Sequence, residues 1–415
     1  MTQWAPVWRV RIDGTDVTDS VIANLSITSG RTNIYSQAQA SYCSITLIIF
    51  DQTALPYEIN NTLSIEVKDT SAVYVPIFGG SVVDISVSVS QIGSTAYTQE
   101  VTITALGALA RLQKALTNGV LTQDFDGDQI ATILREVLFA QWQQVPAALQ
   151  WNTYDPTTTW ATAGNSGYGE IDTPGNYELA HRSSNRVVVY DLVAALANSG
   201  LGYLYEDSAG RISYGDSTHR TNYLAANGYT DLTANHALGQ GITIKTRAGD
   251  VRNNVTIKYN TNSTSEVNDT DPTSIAIYGD LAQIITTTIK HKADAEDQAA
   301  FYLSLRAYPQ PIFDSITYAL TNPELDNADR DALINVFMGQ PIAVNDLPVN
   351  MSSGVFQGFV EGWTFRASYN QLDITLLMSP LAYSLNSMRW NDVPITEAWN
   401  TVSPTLDWAN ATIVS

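Results

Sequence analysis

Hydrophobic and polar positions alternate with a period of two through the first quarter of the chain. Trp8, Val10 and Ile12 precede an Asp13-Gly14 turn, Leu63, Ile65 and Val67 follow Asn60-Asn61, and Val83, Ile85, Val87, Val101 and Ile103 continue the pattern. Successive side chains of a strand point to opposite faces, so this spacing predicts half-buried, mostly antiparallel strands. A polar stretch of small residues, Ser36-Gln37-Ala38-Gln39-Ala40-Ser41, joins Gly30-Arg31 to the alternating run Cys43, Ile45, Leu47 and Ile49. That run predicts a core strand with Cys43 as an inert buried thiol. Residues 1–118 therefore read as a first β domain, leaving through 105–112, which could open a short helix.

From Asp128 the period changes. Ile130, Ile133, Leu134, Val137 and Leu138 share one helical face after Gly127-Asp128, with Asp128 expected to cap the helix. A second helix is expected over 190–199, ended by Gly200, followed by a hairpin of 203–205 and 211–214 around a Glu206–Gly210 turn. Residues 119–235 read as a smaller α+β domain, and the Thr, Gly, Asn and Pro-rich 150–180 region as a long loop. Strand alternation resumes at Val255, Ile257 and Tyr259, and a helix is expected over 294–307 with Asp294 as N-cap and Pro309 beyond its end. Residues 236–385 form the expected second β domain.

An internal repeat links the two β regions. Phe78-x-Gly80-x-Val82 and Phe356-x-Gly358-x-Val360 each follow an alternating strand and precede another, Val101-Thr102-Ile103-Thr104 and Asp373-Ile374-Thr375-Leu376. Duplication explains this most simply, although two unrelated aromatic strands with tight bends would give the same match. The segment 386–415 has another rhythm: Trp390, Trp399 and Trp408 are evenly spaced, with Pro394 and Pro404 between them. On an irregular arm such residues suit anchors in pockets of a neighbour, or packing on the chain's own domains.

Composition narrows the functions. With 15% charged residues and 21 tyrosines in 415 residues, the chain suits β structure with a neutral polar surface. Against 41 acidic residues stand 21 basic ones, a net charge of −20 without a Lys/Arg run, which argues against sequence-specific DNA binding. An acidic protein could still border a passage through which DNA slides, because it repels phosphates. One cysteine excludes an intrachain disulfide framework, and neither a leader-like start nor a membrane-length apolar run occurs, so folding in a cytoplasm is expected.

No catalytic, cofactor or metal site emerges. The four histidines, His181, His219, His236 and His291, form no zinc motif, and no phosphate-cradling glycine loop occurs. Asp124-Phe125-Asp126-Gly127-Asp128 resembles the start of a calcium loop, but its glycine comes at the fourth position and Arg135 stands where the last acidic ligand belongs. Gly215-Asp216-Ser217-Thr218-His219 combines two esterase-like elements that overlap too closely for base and nucleophile to meet in the usual way.

Taken in order, several segments resemble the tail hub, or minor tail protein, of long-tailed bacteriophages, itself distantly similar to the hub of contractile-tail baseplates. They are Asp16-Val17-Thr18-Asp19 leading to Gly30-Arg31, Phe78-x-Gly80-x-Val82, Gly127-Asp128-Gln129-Ile130, and 190–196 with Gly202-Tyr203-Leu204-Tyr205 and Gly210-Arg211-Ile212. Val251-Arg252-Asn253-Asn254-Val255, Ser274-Ile275 with Tyr278-Gly279, Gly339 and Phe356-x-Gly358-x-Val360 complete the series. The pattern departs from the family at 34–38, and the 150–180 loop has no counterpart in it. The resemblance implies a β-rich α+β protein, two tube-like antiparallel β-barrel domains flanking the α+β domain. It also implies a homotrimer whose six barrels match a sixfold tail tube, with distal tail or tail tube protein, tape-measure protein, and tip fibre or receptor-binding proteins as partners. Viral DNA would pass through the lumen without specific binding, in a virion tail tip or baseplate, with no cofactor, enzyme activity or membrane. Gly30 and Arg31, at a barrel edge, and Trp390, Trp399 and Trp408 are the expected interaction residues, with 36–41 solvated or against a neighbouring subunit. A surface adhesin stacking its aromatic residues on glycans, and a cell-wall hydrolase, are the competing readings.

Overall fold

The computed structural model describes residues 4–17, 21–32, 34, 36–50, 57–89, 99–137, 150–153, 168–238, 242, 244–261, 264–313, 315–351, 354–368 and 370–381. The first region forms β1 (Trp8–Ile12), β2 (Val21–Gly30), β3 (Tyr42–Ile49), β4 (Thr62–Lys68), β5 (Tyr74–Val89) and β6 (Gln99–Leu106). In β3 the period of two is clean: Cys43, Ile45, Leu47 and Ile49 are buried while Ser44, Thr46 and Ile48 are not. A short helix, Leu109–Leu112, closes the exit.

The middle region contains α1 (Asp126–Arg135), β7 (Gln150–Thr153), β8 (Tyr168–Ile171), α2 (Val189–Ser199), β9 (Tyr203–Glu206), β10 (Ile212–Gly215) and α3 (His219–Asn227). Strands β9 and β10 form the expected hairpin, extended by β8 and β7 into a sheet of order β7-β8-β10-β9. Part of the expected 150–180 loop is therefore sheet: β8 runs parallel to β7 and meets Tyr214 through Ile171. Phe125, not Asp128, is the N-cap residue of α1, and Asp126 and Asp128 occupy the first turn, where negative charge offsets the helix partial charge.

The last region adds β11 (Thr230–Thr233), β12 (Ile244–Thr246), β13 (Asn254–Lys258), β14 (Glu266–Thr270), β15 (Ala282–Thr286), α4 (Lys292–Arg306), β16 (Pro311–Phe313), β17 (Ile316–Ala319), β18 (Pro341–Asn345), β19 (Phe356–Ser368) and β20 (Gln371–Pro380). Strands β12 and β16 pair antiparallel and form the stalk of an excursion whose own small core is Val255, Ile257, Ala295 and Ala299. Helix α4 begins two residues before the expected Asp294, with His291 at its N-cap.

One twelve-stranded sheet dominates the chain. Its path is β11-β18-β19-β2-β3-β6-β5-β4-β1 and then Thr15–Asp16, with β20 beside β19 and β17 beside β20. The protein is thus β-rich α+β, and its sheet does not close into a barrel among the described residues. The duplication is visible in strand order: β3-β6-β5-β4 in the first unit corresponds to β17-β20-β19-β18 in the second. The repeated motif does the same work twice. A Cβ on Gly80 would lie 2.4 Å from the Leu106 carbonyl and 2.8 Å from the Phe78 ring, and one on Gly358 would lie 2.2 Å from the Ser379 carbonyl and 2.8 Å from the Phe356 ring. Each glycine therefore lets a buried phenylalanine fold over the backbone, and each motif ends in a register shift, at Val82/Asp84 and Val360/Gly362. The units differ at their flanks, where β1 runs antiparallel to β4 but β11 runs parallel to β18.

Candidate assembly site

The two units meet through strand pairing. Before its bulge β19 pairs on one edge with β18, and after the bulge the same edge pairs with β2, from Gly362↔Gly30 to Ser368↔Asn24. At the switch the backbones approach too closely for side chains. A Cβ on Gly30, whose φ is +85°, would lie 2.4 Å from the Glu361 carbonyl, and one on Gly362 would lie 2.7 Å from the Arg31 carbonyl.

An ionic clasp closes over this joint. Arg31 Nε donates to Glu361 Oε2 at 2.6 Å, Arg220 of α3 donates from Nη1 to Oε1 at 2.8 Å and from Nη2 to Oε2 at 3.0 Å, and Ser379 Oγ donates to Oε1. Glu361 is 2% exposed. Burial pushes its carboxyl pKa upward, but the charges and hydrogen bonds of Arg220 and Arg31 win and hold it down at about 2. The guanidinium of Arg220 also lies 4.6 Å from the Tyr203 ring centroid and 5.1 Å from that of Phe359. One carboxylate therefore ties the first unit, the middle region and the second unit together.

Gly30 and Arg31 accordingly lie inside the chain's own joint, and Arg31 is buried. The small-residue segment expected to be solvated or in contact with a neighbour is partly interior: Gln37, Ala38 and Ser41 are buried. Gln37 donates to Asn198 Oδ1 and the Gly202 carbonyl and accepts from Leu204 N–H, while Tyr190 donates to the Ala38 carbonyl. Glu206 accepts from the N–H groups of Ser41 and Leu109, and burial raises its pKa to about 7. The segment's polar side chains and backbone meet polar groups of α2 and of 202–206, which long apolar side chains could not satisfy.

A second buried carboxylate organises the middle region. Asp126 accepts from Tyr214 Oη and from the N–H groups of Asn176 and Tyr177, and burial raises its pKa to about 6. The aspartate cluster that resembles a calcium loop thus holds loop backbone, and among the described residues no three His, Cys, Asp or Glu side chains gather as a metal set. In the esterase-like stretch, Asp216 accepts from Thr218 while His219 Nδ1 pairs with Asp172 at 2.8 Å. A groove of about 760 Å³ opens beside the clasp, bordered by Arg31, Tyr203, Arg220, Phe301 and Arg306.

The outer sheet face is continuous across the joint and nearly neutral. One row runs Ser86, Thr102, Thr46, Asn24, Ser368 and Gln371, and the next runs Asp84, Thr104, Ser44, Ser26, Arg366 and Asp373. Threonine hydroxyls bridge neighbouring strands at Thr46–Thr102 (3.1 Å), Thr28–Thr364 (3.3 Å) and Thr317–Thr375 (2.8 Å). Most of the chain's charge therefore lies elsewhere. Trp390, Trp399 and Trp408 lie outside the described residues. Glu361, Arg220 and Glu206 carry no sequence motif that marks them as site residues, and Asp126 stands out only as part of the calcium-loop-like stretch. The available signal was an acidic residue directly after the second F-x-G-x-V motif, inside the buried run 358–363 whose other residues are glycine or apolar.

The sequence matches no protein-family model and no curated protein. Its fold is similar to that of solved tail proteins. With a tail protein from Neisseria meningitidis MC58 the TM-score is 0.59 at 11% identity, covering 92% of this chain and 98% of the other. With the 43 kDa tail protein of prophage MuSo2 from Shewanella oneidensis it is 0.52 at 10% identity, covering 92% and 100%. The phage tail resemblance read from ordered sequence motifs is thus matched by fold over nearly the whole chain.

Proposed function

We propose that this chain is a structural, non-enzymatic component of a phage tail, acting as the hub at its distal tip or baseplate. Three copies present six copies of the duplicated β unit, which suits a sixfold tube above and a threefold tip below. The observation that carries the reading is the joint itself: two equivalent units fused edge to edge into one sheet, in a fold shared with two tail proteins. In the assembly the open sheet becomes part of a tube wall, and its Ser/Thr/Asn face lines the passage for DNA. Neutral hydroxyls neither capture phosphates, as Lys and Arg would, nor expose apolar surface to water. The tail tube or distal tail protein would sit above, the tape-measure protein within the lumen, and tip fibres or receptor-binding proteins below, with the tryptophan-bearing 386–415 segment as a tether.

Antibody labelling of purified particles tests the location. Label confined to the tail tip supports the hub, whereas label along the whole tail, on the head, or only in the soluble lysate overturns it.

A further inference from the structure

The groove beside the clasp gathers more buried positive charge than Glu361 neutralises. Arg31, Arg220 and Arg306 all line it and are 9%, 5% and 6% exposed. Arg31 and Arg220 share the one Glu361 carboxylate. Arg306, at the end of α4, donates to the neutral side chain of Gln283 at 3.1 Å and lies 5.2 Å from the Tyr302 ring centroid. The three cations converge. Arg31 and Arg220 lie 6.0 Å and 4.6 Å from the Tyr203 ring centroid, and the Tyr302 hydroxyl, whose pKa burial raises, is drawn back down by Arg306 and Arg31 together.

Arg31 has a donor to spare. Its Nε is taken by Glu361 and its Nη1 by the Ser36 carbonyl at 3.3 Å, while Nη2 has no hydrogen-bond partner among the described residues. A guanidinium this buried with an unused donor costs free energy until an acceptor arrives. Burial lowers the Arg31 pKa, and repulsion from Arg220 adds to the fall against the opposing pull of Glu361. The acidic groups that line the groove are engaged elsewhere or face water: Asp216 accepts from the N–H and hydroxyl of Thr218, both at 2.8 Å, and Asp297 is exposed on α4.

The remaining walls combine aromatic faces with neutral polar groups. Phe301 and Tyr302 of α4 are partly buried, and Ser304 on the same helix and Asn222 on α3 are exposed. Aromatic faces receive the C–H face of a sugar ring, and hydroxyl and amide groups pair with its rim of hydroxyls. A volume of about 760 Å³ lies within the range of small-ligand sites. We propose that this groove is a binding site for an acidic saccharide, whose carboxylate accepts from the open Nη2 of Arg31 with Arg306 as the second cation, while a sugar ring lies against Phe301. A planar carboxylate fits the planar guanidinium fork, as Glu361 already does on the other side. The inference needs no assembly and stands on the single chain.

Isothermal titration calorimetry of the full chain tests it with two carboxylated probes, sialyllactose and trigalacturonate, their neutral counterparts lactose and galactotriose, and glucose 6-phosphate. At least one carboxylated probe should bind with one site per chain, and its neutral counterpart at least about tenfold more weakly, because it leaves the Arg31 donor unpaired. Asn222→Trp and Ala300→Trp fill the groove from exposed positions outside the clasp, and each should raise the dissociation constant at least about tenfold with an unchanged Tm. Arg31→Lys should weaken the carboxylated probe more than the neutral one. Failure of both carboxylated probes to bind at millimolar concentration, equal binding of the neutral counterparts, binding of glucose 6-phosphate alone, or binding untouched by both tryptophan variants overturns the site.

Discussion

Replacing Glu361 with Gln tests the clasp that holds the joined sheet. The variant keeps shape and one acceptor oxygen but leaves Arg31 and Arg220 buried without a counter-charge. Lowering the carboxyl pKa from 4.5 to about 2 corresponds to about 3 kcal/mol of stabilisation at neutral pH. That agrees with the roughly 3–5 kcal/mol expected when one partner of a buried ion pair is removed. If all 415 residues unfold together, about 2.1 cal/mol/K per residue converts 3 kcal/mol into a Tm fall of about 3 °C. The pH dependence has a definite sign. A depressed folded-state pKa stabilises above about pH 4.5, and the contribution is lost as pH falls towards 2, so the wild-type advantage should drop by about half at pH 3. Urea unfolding of both proteins at pH 7 and pH 3 measures it. A difference below about 1 kcal/mol at pH 7, or one that does not shrink in acid, would show that the clasp is not the tie described here.

Four further outcomes follow from the same geometry. Gly30→Ala should cost at least about 2 kcal/mol in urea unfolding, because a Cβ there meets the Glu361 backbone at positive φ; a neutral result would mean the β2·β19 joint is looser than described. Glu206, with its pKa raised to about 7, stabilises the fold in its protonated form, a contribution lost as pH rises from about 4.5 through 7, so Glu206→Gln should flatten the fall in Tm over that range. Cys43 is buried in the core and its thiol pKa is raised by burial, so a thiol reagent should label it only as the protein unfolds; fast labelling of the native protein would contradict the β3 packing. Thr46→Lys on the neutral face loses the Thr102 bridge and should cost no more than about 1 kcal/mol of monomer stability yet slow genome release from particles carrying it, and an unchanged release rate would count against a DNA-facing role.

Local rules made much of this architecture readable. The period of two in 43–49 and 63–67, the glycine that ends α2, and the hairpin at 203–214 depend only on neighbouring residues, and they appear in the structure where the pattern put them. The F-x-G-x-V pair was readable as a repeat because a glycine beneath a phenylalanine ring is a local device. Bulges were not: Val83 fits the alternation, but it is the extra residue at the Val82/Asp84 shift and is exposed, whereas Ile85 and Val87 beyond it pair with the buried Ile103 and Val101. The clasp was hidden for another reason. Glu361 lies 330 residues from Arg31 and 141 from Arg220, and composition does not reveal which of 41 acidic residues will be buried between them. The same distance hid the interior course of 36–41, whose small polar side chains look solvated until Tyr190 and Glu206 arrive from the middle region.

Electron cryo-microscopy of intact tail tips tests the central claim most directly. The account predicts three copies of this chain forming a ring of six β units, with the Ser/Thr/Asn face turned to the lumen. A tip without this chain, or one in which its sheet stands outside the tube wall, would contradict it.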